Sequence, residues 1–356
     1  GGVATFIPAS ALPALTDTDT TIDGGTQTSS VGDNNAGALG TGGTVGVDAL
    51  ALSTVNRPEV EIRNNRSAGV INLGLDIRAN NTTVRRIAIY GFGTTSDANG
   101  HGNIQVTNGF TGALIEQNII GTPATSFTDP GAGVRTVGNN IHTYGASSGT
   151  IQNNLIGFAN GKGIGLGYGT SWSVTGNEMR GNGIGTANLD GIDFYHTTSS
   201  TAQGNLVVAN HANGIDSYLS TGGNTFVNNT VGGNGIGTGA TETPAIRVYG
   251  TGNTVDRNIV VTNYGAGVLV AYTASGVKIT KNSIYLNGTI LNLGGGGPSA
   301  QVGIDLLKST DNASAGTAPF YTINDNGDSD TDANGLLNFP ILPTATVEES
   351  AALLSA

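Results

Sequence analysis

The chain has 356 residues, with 58 Gly, 38 Asn, no Cys, and 14 Lys plus Arg against 25 Asp plus Glu. Zero Cys excludes a disulfide scaffold and any thiolate metal site, and a net charge of -11 without clustered cations excludes a sizeable nucleic-acid surface. No run of 18 apolar residues is present, so no membrane-spanning segment is expected. A hydrophobic content of 37% is too high for disorder, and the scarcity of Lys, Glu and Leu argues against helices, which leaves an all-β chain.

In chain order, residues 1–12 read as a strand already inside a first coil, with no amphipathic capping helix before it. The start, Gly1-Gly2-Val3, carries neither Met nor a signal sequence, as expected of a processed or trimmed product. A short phrase then recurs: a β-branched or apolar residue, two or three polar ones, Asn, and an apolar pair. Its Asn residues are Asn118, Asn154, Asn177, Asn205, Asn229, Asn258 and Asn282, spaced 36, 23, 28, 24, 29 and 24 apart. Arg86 takes the same place one coil earlier. Between these Asn positions falls a second phrase, Gly or Ala before Ile or Val, at Ile164, Ile192, Ile215, Ile246, Val268 and Ile304, with Ile104 and Ile141, each after an Asn, in the equivalent place.

Runs this short, broken by Asn-Gly and Gly-Gly, are strands separated by turns. A lone coil buries almost nothing, so the coils must stack, each strand pairing with its equivalent at about 4.8 Å. A turn repeated in every coil suits Asn, which tolerates a left-handed backbone and can bond the next Asn in a buried amide ladder. Variable spacing places the insertions in the turns. The expected architecture is a solenoid of roughly 10 coils over residues 1–307, followed by an irregular acidic segment, 308–356, that serves as a cap or a linker to further sequence.

The pattern resembles the right-handed parallel β-helix superfamily, which includes pectate lyases, polygalacturonases, phage tailspikes and many secreted bacterial surface proteins. Leu12–Thr16 with Thr21–Gln27, and Gly303–Leu306 with Asn324–Asp332 and Asn338–Leu342, resemble the first coil and exit segment of large bacterial cell-surface members. The resemblance implies secretion or surface display, and a structural or adhesive role as a fibre or surface-layer subunit or as part of a larger adhesin. Further domains or head-to-tail self-association would cover the ends of the stack. The catalytic relatives' motifs carry over poorly, because the body holds no Arg-x-Lys element and no adjacent Asp pair; Asp190-Gly191-Ile192-Asp193 is a partial likeness.

Alternation within the Gly-Ile strands points one set of side chains outward. Three consecutive coils then present Asp193, Asp216 and Arg247 in one column and Tyr195, Tyr218 and Tyr249 in the next. Carboxylates one rung apart can perturb each other, share Ca²⁺ or work as an acid/base pair on a sugar, whose apolar face suits Tyr. His196 and His211, in adjoining turns, could supply a base. A polysaccharide binder or polysaccharide-active enzyme is therefore the alternative to a scaffold. Loops inserted near 122–138, 183–190 and 235–243 decide between them, since a walled groove favours sugar and a flat face favours a scaffold. In the tail, Asp325, Asp328, Asp330 and Asp332 are candidate Ca²⁺ ligands: the spacing of 328, 330 and 332 imitates the first three ligands of an EF-type loop, although Ala333 stands where Gly is expected and no Glu closes it. Gly161-Lys162-Gly163 reads as a coil turn rather than a phosphate loop.

Overall fold

The computed structural model describes residues 2–67, 69–185 and 189–338. Among the described residues three parallel sheets of ten, nine and nine strands run along the helix axis, and the chain visits each sheet once per turn. This is the right-handed parallel β-helix that the repeats imply, and the ten rungs of the longest sheet match the roughly ten coils expected.

Each sheet sends one column of apolar side chains inward. In the site-bearing sheet the Gly-Ile phrase stacks in register, Ile104 on Ile141, Ile164, Ile192, Ile215, Ile246, Val268 and Ile304. A second sheet aligns Val84, Ile115, Ile151, Val174, Ala202, Phe226, Val255 and Ile279. β-Branched residues suit a column buried on a pleated surface, and larger rings fill the gaps beside small residues: Phe194 meets Phe226 at 5.4 Å. Trp172 is buried at a corner, with Nε1 donating to the Ala146 carbonyl at 2.8 Å.

The Asn residues of the repeat do form a buried ladder. From Asn118 through Asn258, each side-chain Nδ2 donates to the Oδ1 of the next Asn, ending on Asn282, and each backbone N–H donates to the same oxygen. Two details differ from the sequence expectation. The left-handed backbone belongs to the residue before the ladder Asn, as at Gln117, Asn153, Asn228, Arg257 and Lys281. Arg86 is one of these left-handed residues and stands level with Gln117, so Ile87 occupies the rung beside Asn118 and donates its N–H to Asn118 Oδ1. A second ladder, Asn140, Asn182, Asn210, Asn234, Asn263 and Asn287, lines another corner.

The N-terminal part departs from a plain coil. After Thr21–Asp23 the chain forms a short helix, Gly25–Val31, none of whose residues is buried. Two small antiparallel ribbons follow, Ala38–Leu39 with Val55–Asn56 and Thr44–Val45 with Leu50–Ala51. They lie across the outer face of the ten-stranded sheet, where Val55 and Leu39 pack on Ala88, Ile119 and Leu155, and Val45 and Leu52 pack on Leu206. Thr41 N–H donates to Glu178 at 2.6 Å. At the other end, Ala333 and Leu336 are buried in the main core, and Asn334 bonds Ala274 and Val277. No helix among the described residues is long and apolar enough to cross a membrane.

Candidate functional site

Strand register brings the outward column together as His142, Gly165, Asp193, Asp216 and Arg247, one per rung. The tyrosine column is longer than the sequence suggested. Tyr144, Tyr168, Tyr195, Tyr218 and Tyr249 form a continuous run with centroid separations of 5.1, 5.2, 6.0 and 5.3 Å. Tyr168 supplies the ring missing at Gly167, from a left-handed residue just beyond its strand.

The polar column and, from the ring column, Tyr144, Tyr195 and Tyr218 form the floor of a groove of about 410 Å³, within the usual range of ligand sites. Its walls come from turns at 97–99, at Leu189-Asp190 and at Glu242. Described residues of two of the three expected insertions, Leu189-Asp190 of 183–190 and Glu242 of 235–243, thus wall the face, while 186–188 lie outside the described residues. The 122–138 insertion does not: Phe127 packs on Phe158 and Arg135 pairs with Asp129 at 2.5 Å, away from the groove.

The walls make the outward column a buried one. Asp193, Asp216 and Arg247 are all buried. Asp216 accepts from Arg247 Nε at 3.0 Å and Nη2 at 2.6 Å, a two-point carboxylate–guanidinium pair, and Nη2 also reaches Glu242 at 2.9 Å. The guanidinium lies 5.0 Å from the Tyr218 ring centre. Lys162 Nζ sits 2.6 Å from Asp193 Oδ2 and 2.8 Å from Asp97. Asp193 Oδ1 has no hydrogen-bond partner. Asp190, Asp193 and Asp216 each bring a carboxylate oxygen within 4.8 Å of the others; among the described residues this is the one such grouping of three or more potential metal ligands.

Burial is the largest influence on the acids. It lifts Asp193 to about 7, with Asp216 and Asp97 adding and Lys162 opposing. It lifts Asp190 well above the ordinary carboxylate range, with help from Asp216 and Glu242, and it raises Glu242. Burial acts the other way on Lys162, but Asp193, Asp97 and Asp190 outweigh it and keep the ammonium charged. Burial, with Lys162, lowers His142 to about 4 against the pull of Asp97, so its ring is neutral near neutrality, and its Nδ1 has no partner. The site therefore holds a protonated carboxyl beside carboxylates fixed by cations, and can both donate and accept a proton.

Of the sequence candidates, Asp193, Tyr195, Asp216, Tyr218 and Arg247 line this groove, and Tyr249 lies just beyond it against Tyr218 and Arg247. His196 and His211 do not: His196 stacks on Tyr168 at 4.7 Å outside the groove lining, and His211 lies under the 129–135 turn. In the tail, Asp325 accepts from Ser329, Asp328 from Asn338 and Asp332 from Ser309, three separate partners rather than a common point, and Asp330 joins them in no three-ligand grouping. Lys162, His142, Asp190, Asp97 and Glu242 were not anticipated as site residues. Asp190, three places before Asp193, carried the one usable signal.

The chain belongs to the right-handed β-helix family: residues 48–231 match the family model described as the right handed beta helix region. Solved structures with similar coordinates include the Dettilon tailspike protein, at 18% identity and TM-score 0.46 over 69% of this chain and 47% of that one. A variant of the periplasmic alginate epimerase AlgG follows, at 12% and 0.41 over 64% and 44%, and DFA-IIIase from Arthrobacter chlorophenolicus A6, at 14% and 0.46 over 65% and 54%. The chain thus spans about half the length of each. No curated protein matches its sequence.

Proposed function

We propose that the groove binds a neutral polysaccharide along the helix axis and cleaves a glycosidic bond. The observation that carries this reading is Asp193, a buried carboxyl with a free oxygen, raised toward neutrality beside Asp216 and over a tyrosine floor. Two carboxyls in different environments are what glycoside cleavage requires. Asp193 Oδ1 gives its proton to the leaving glycosidic oxygen as the bond from the anomeric carbon breaks. The Asp216 carboxylate, whose oxygens approach those of Asp193 within 4.8 Å, bonds to that carbon as the leaving group departs; water then breaks the new ester bond and passes its proton to Asp193. Tyrosine rings suit the apolar faces of sugar rings, and Tyr195 and Tyr218, inclined by 27° to each other, offer two neighbouring rings on adjacent rungs.

Charge supports the choice of a neutral glycan. The lining holds five carboxyls, Asp97, Asp190, Asp193, Asp216 and Glu242, against Lys162 and Arg247, so it offers no positive field for a polyanion. Such a substrate fits a protein that works outside the cell or at its surface. The walled groove is also why this reading is preferred to a purely structural or adhesive one.

The test is turnover of a panel of neutral glucans, xylans, mannans, galactans and fructans by the wild type and by Asp193→Asn. Removing a general acid lowers kcat by about 10²–10⁴-fold, while affinity stays within a few-fold. Equal turnover by the two proteins would contradict the assignment of Asp193.

A further inference from the structure

The groove is open at one end and shut at the other. Along the tyrosine run, Tyr144 and Tyr168 are 40% and 48% exposed, whereas Tyr249 is 6% exposed. What covers Tyr249 is the segment after the last strand of this sheet, Ile304–Leu306. Tyr249 OH donates to the Ala313 carbonyl at 3.4 Å, and Arg247 Nη1 donates to Ser314 Oγ at 3.2 Å. Beyond them Leu269, Leu307 and Asp305 are buried.

The covering turn is built to hold its shape. Asn312 Oδ1 accepts from the N–H groups of Ser314 and Ala315, and the Asn312 carbonyl accepts from Gly316. Gly316 has φ of 74° and comes so close to the floor that a Cβ there would lie 2.2 Å from Asp305 Oδ2. Only Gly fits such a position. The turn is thus pressed onto the strand face rather than hanging over it.

We propose that this turn makes the groove blind, so that the site takes the end of a linear glycan rather than its middle and releases mono- or disaccharides. The proposal rests on the polysaccharide reading above. From Asp193 to the blocked position at Arg247 is two rungs, about 10 Å at the usual strand spacing, room for about two pyranose rings. The open side, over Tyr168 and Tyr144, holds the rest of the chain. Ser314 and Ala313 are specificity-determining residues here; they hold Arg247 and Tyr249 at the groove's end, not the reacting bond.

Two measurements test it. Wild-type products are followed from the first turnovers on the neutral polysaccharide that the panel identifies, and the inactive Asp193→Asn chain is titrated with a linear hexasaccharide of that glycan and with a cyclic oligosaccharide of the same linkage. The expected result is mono- and disaccharide products, little early loss of polymer length, and at least tenfold weaker binding of the ring. Long fragments at first turnover, or equal affinity for ring and line, overturn the blind end while leaving the polysaccharide reading intact. Failure to bind or cleave any neutral glycan overturns both. In Gly316→Val, the added side chain lifts the turn, and binding of the cyclic probe is expected to rise severalfold; in a variant shown by proteolysis to have a loosened turn, unchanged preference for the line would count against the proposal.

Discussion

Burial and ion pairing with Lys162 pull Asp193 in opposite directions, and burial wins with the repulsion of Asp216 and Asp97 added to it. A proton donor works only while it carries its proton. Asp193 is protonated below about 7, so turnover should hold at mildly acidic pH and fall as pH rises through neutrality. A pH profile of kcat that rises between pH 6 and 8 would contradict that role. The Asp and Tyr columns were legible because alternation within a strand has period two and register is fixed by the Ile column. Lys162 and Glu242 were hidden because they lie in turns, where sequence has no period and length varies from coil to coil. Lys162 in particular stands in a Gly-rich turn whose neighbours recur without any Lys.

The unit of this fold is the rung, and its corners matter as much as its strands. Removing Asn205 takes away the acceptor of both Asn177 Nδ2 and the Asn177 N–H, while its own donors to Asn229 and Val174 vanish. Buried donors left unmatched cost about 1–3 kcal/mol each, so Asn205→Leu should lose about 2–5 kcal/mol in chemical denaturation; a change below 1 kcal/mol would show that the ladder is not what holds the corner. The first ladder was readable from the spacing of seven Asn residues. The second was equally readable in retrospect, since Asn182, Asn210, Asn234, Asn263 and Asn287 each follow a first-ladder Asn by five residues. The helix Gly25–Val31 and the two ribbons were not, because their apolar residues are isolated among Gly and Thr and find partners only on the outside of a sheet formed later in the chain.

Over the whole molecule, pH acts on stability through acids buried by late chain segments. Asp305, under the 309–317 turn, is lifted from 3.8 to about 7, by burial first and Asp311 second. Between those values the folded state holds a proton that the unfolded state has released, so stability falls as pH rises from about 4 to about 7. Asp305→Asn should flatten that fall, read as melting temperature against pH; an unchanged slope would show that the turn does not bury the carboxyl. The ends offer a separate expectation. Ala4–Phe6 is exposed throughout and Ser283–Tyr285 exposes Ser283 and Tyr285, and strand edges of this kind invite pairing with another chain. Head-to-tail association predicts a sedimenting mass that grows with concentration, and a constant monomer mass would contradict it.

The most direct test of the site itself is a crystal structure of Asp193→Asn with a linear neutral oligosaccharide from the turnover panel. The sugar should lie along the helix axis over Tyr168 and Tyr195, with a glycosidic oxygen within hydrogen-bond distance of the residue 193 side chain and one chain end against Ser314. A sugar bound elsewhere on the β-helix, with the groove empty at saturating ligand, would contradict the account.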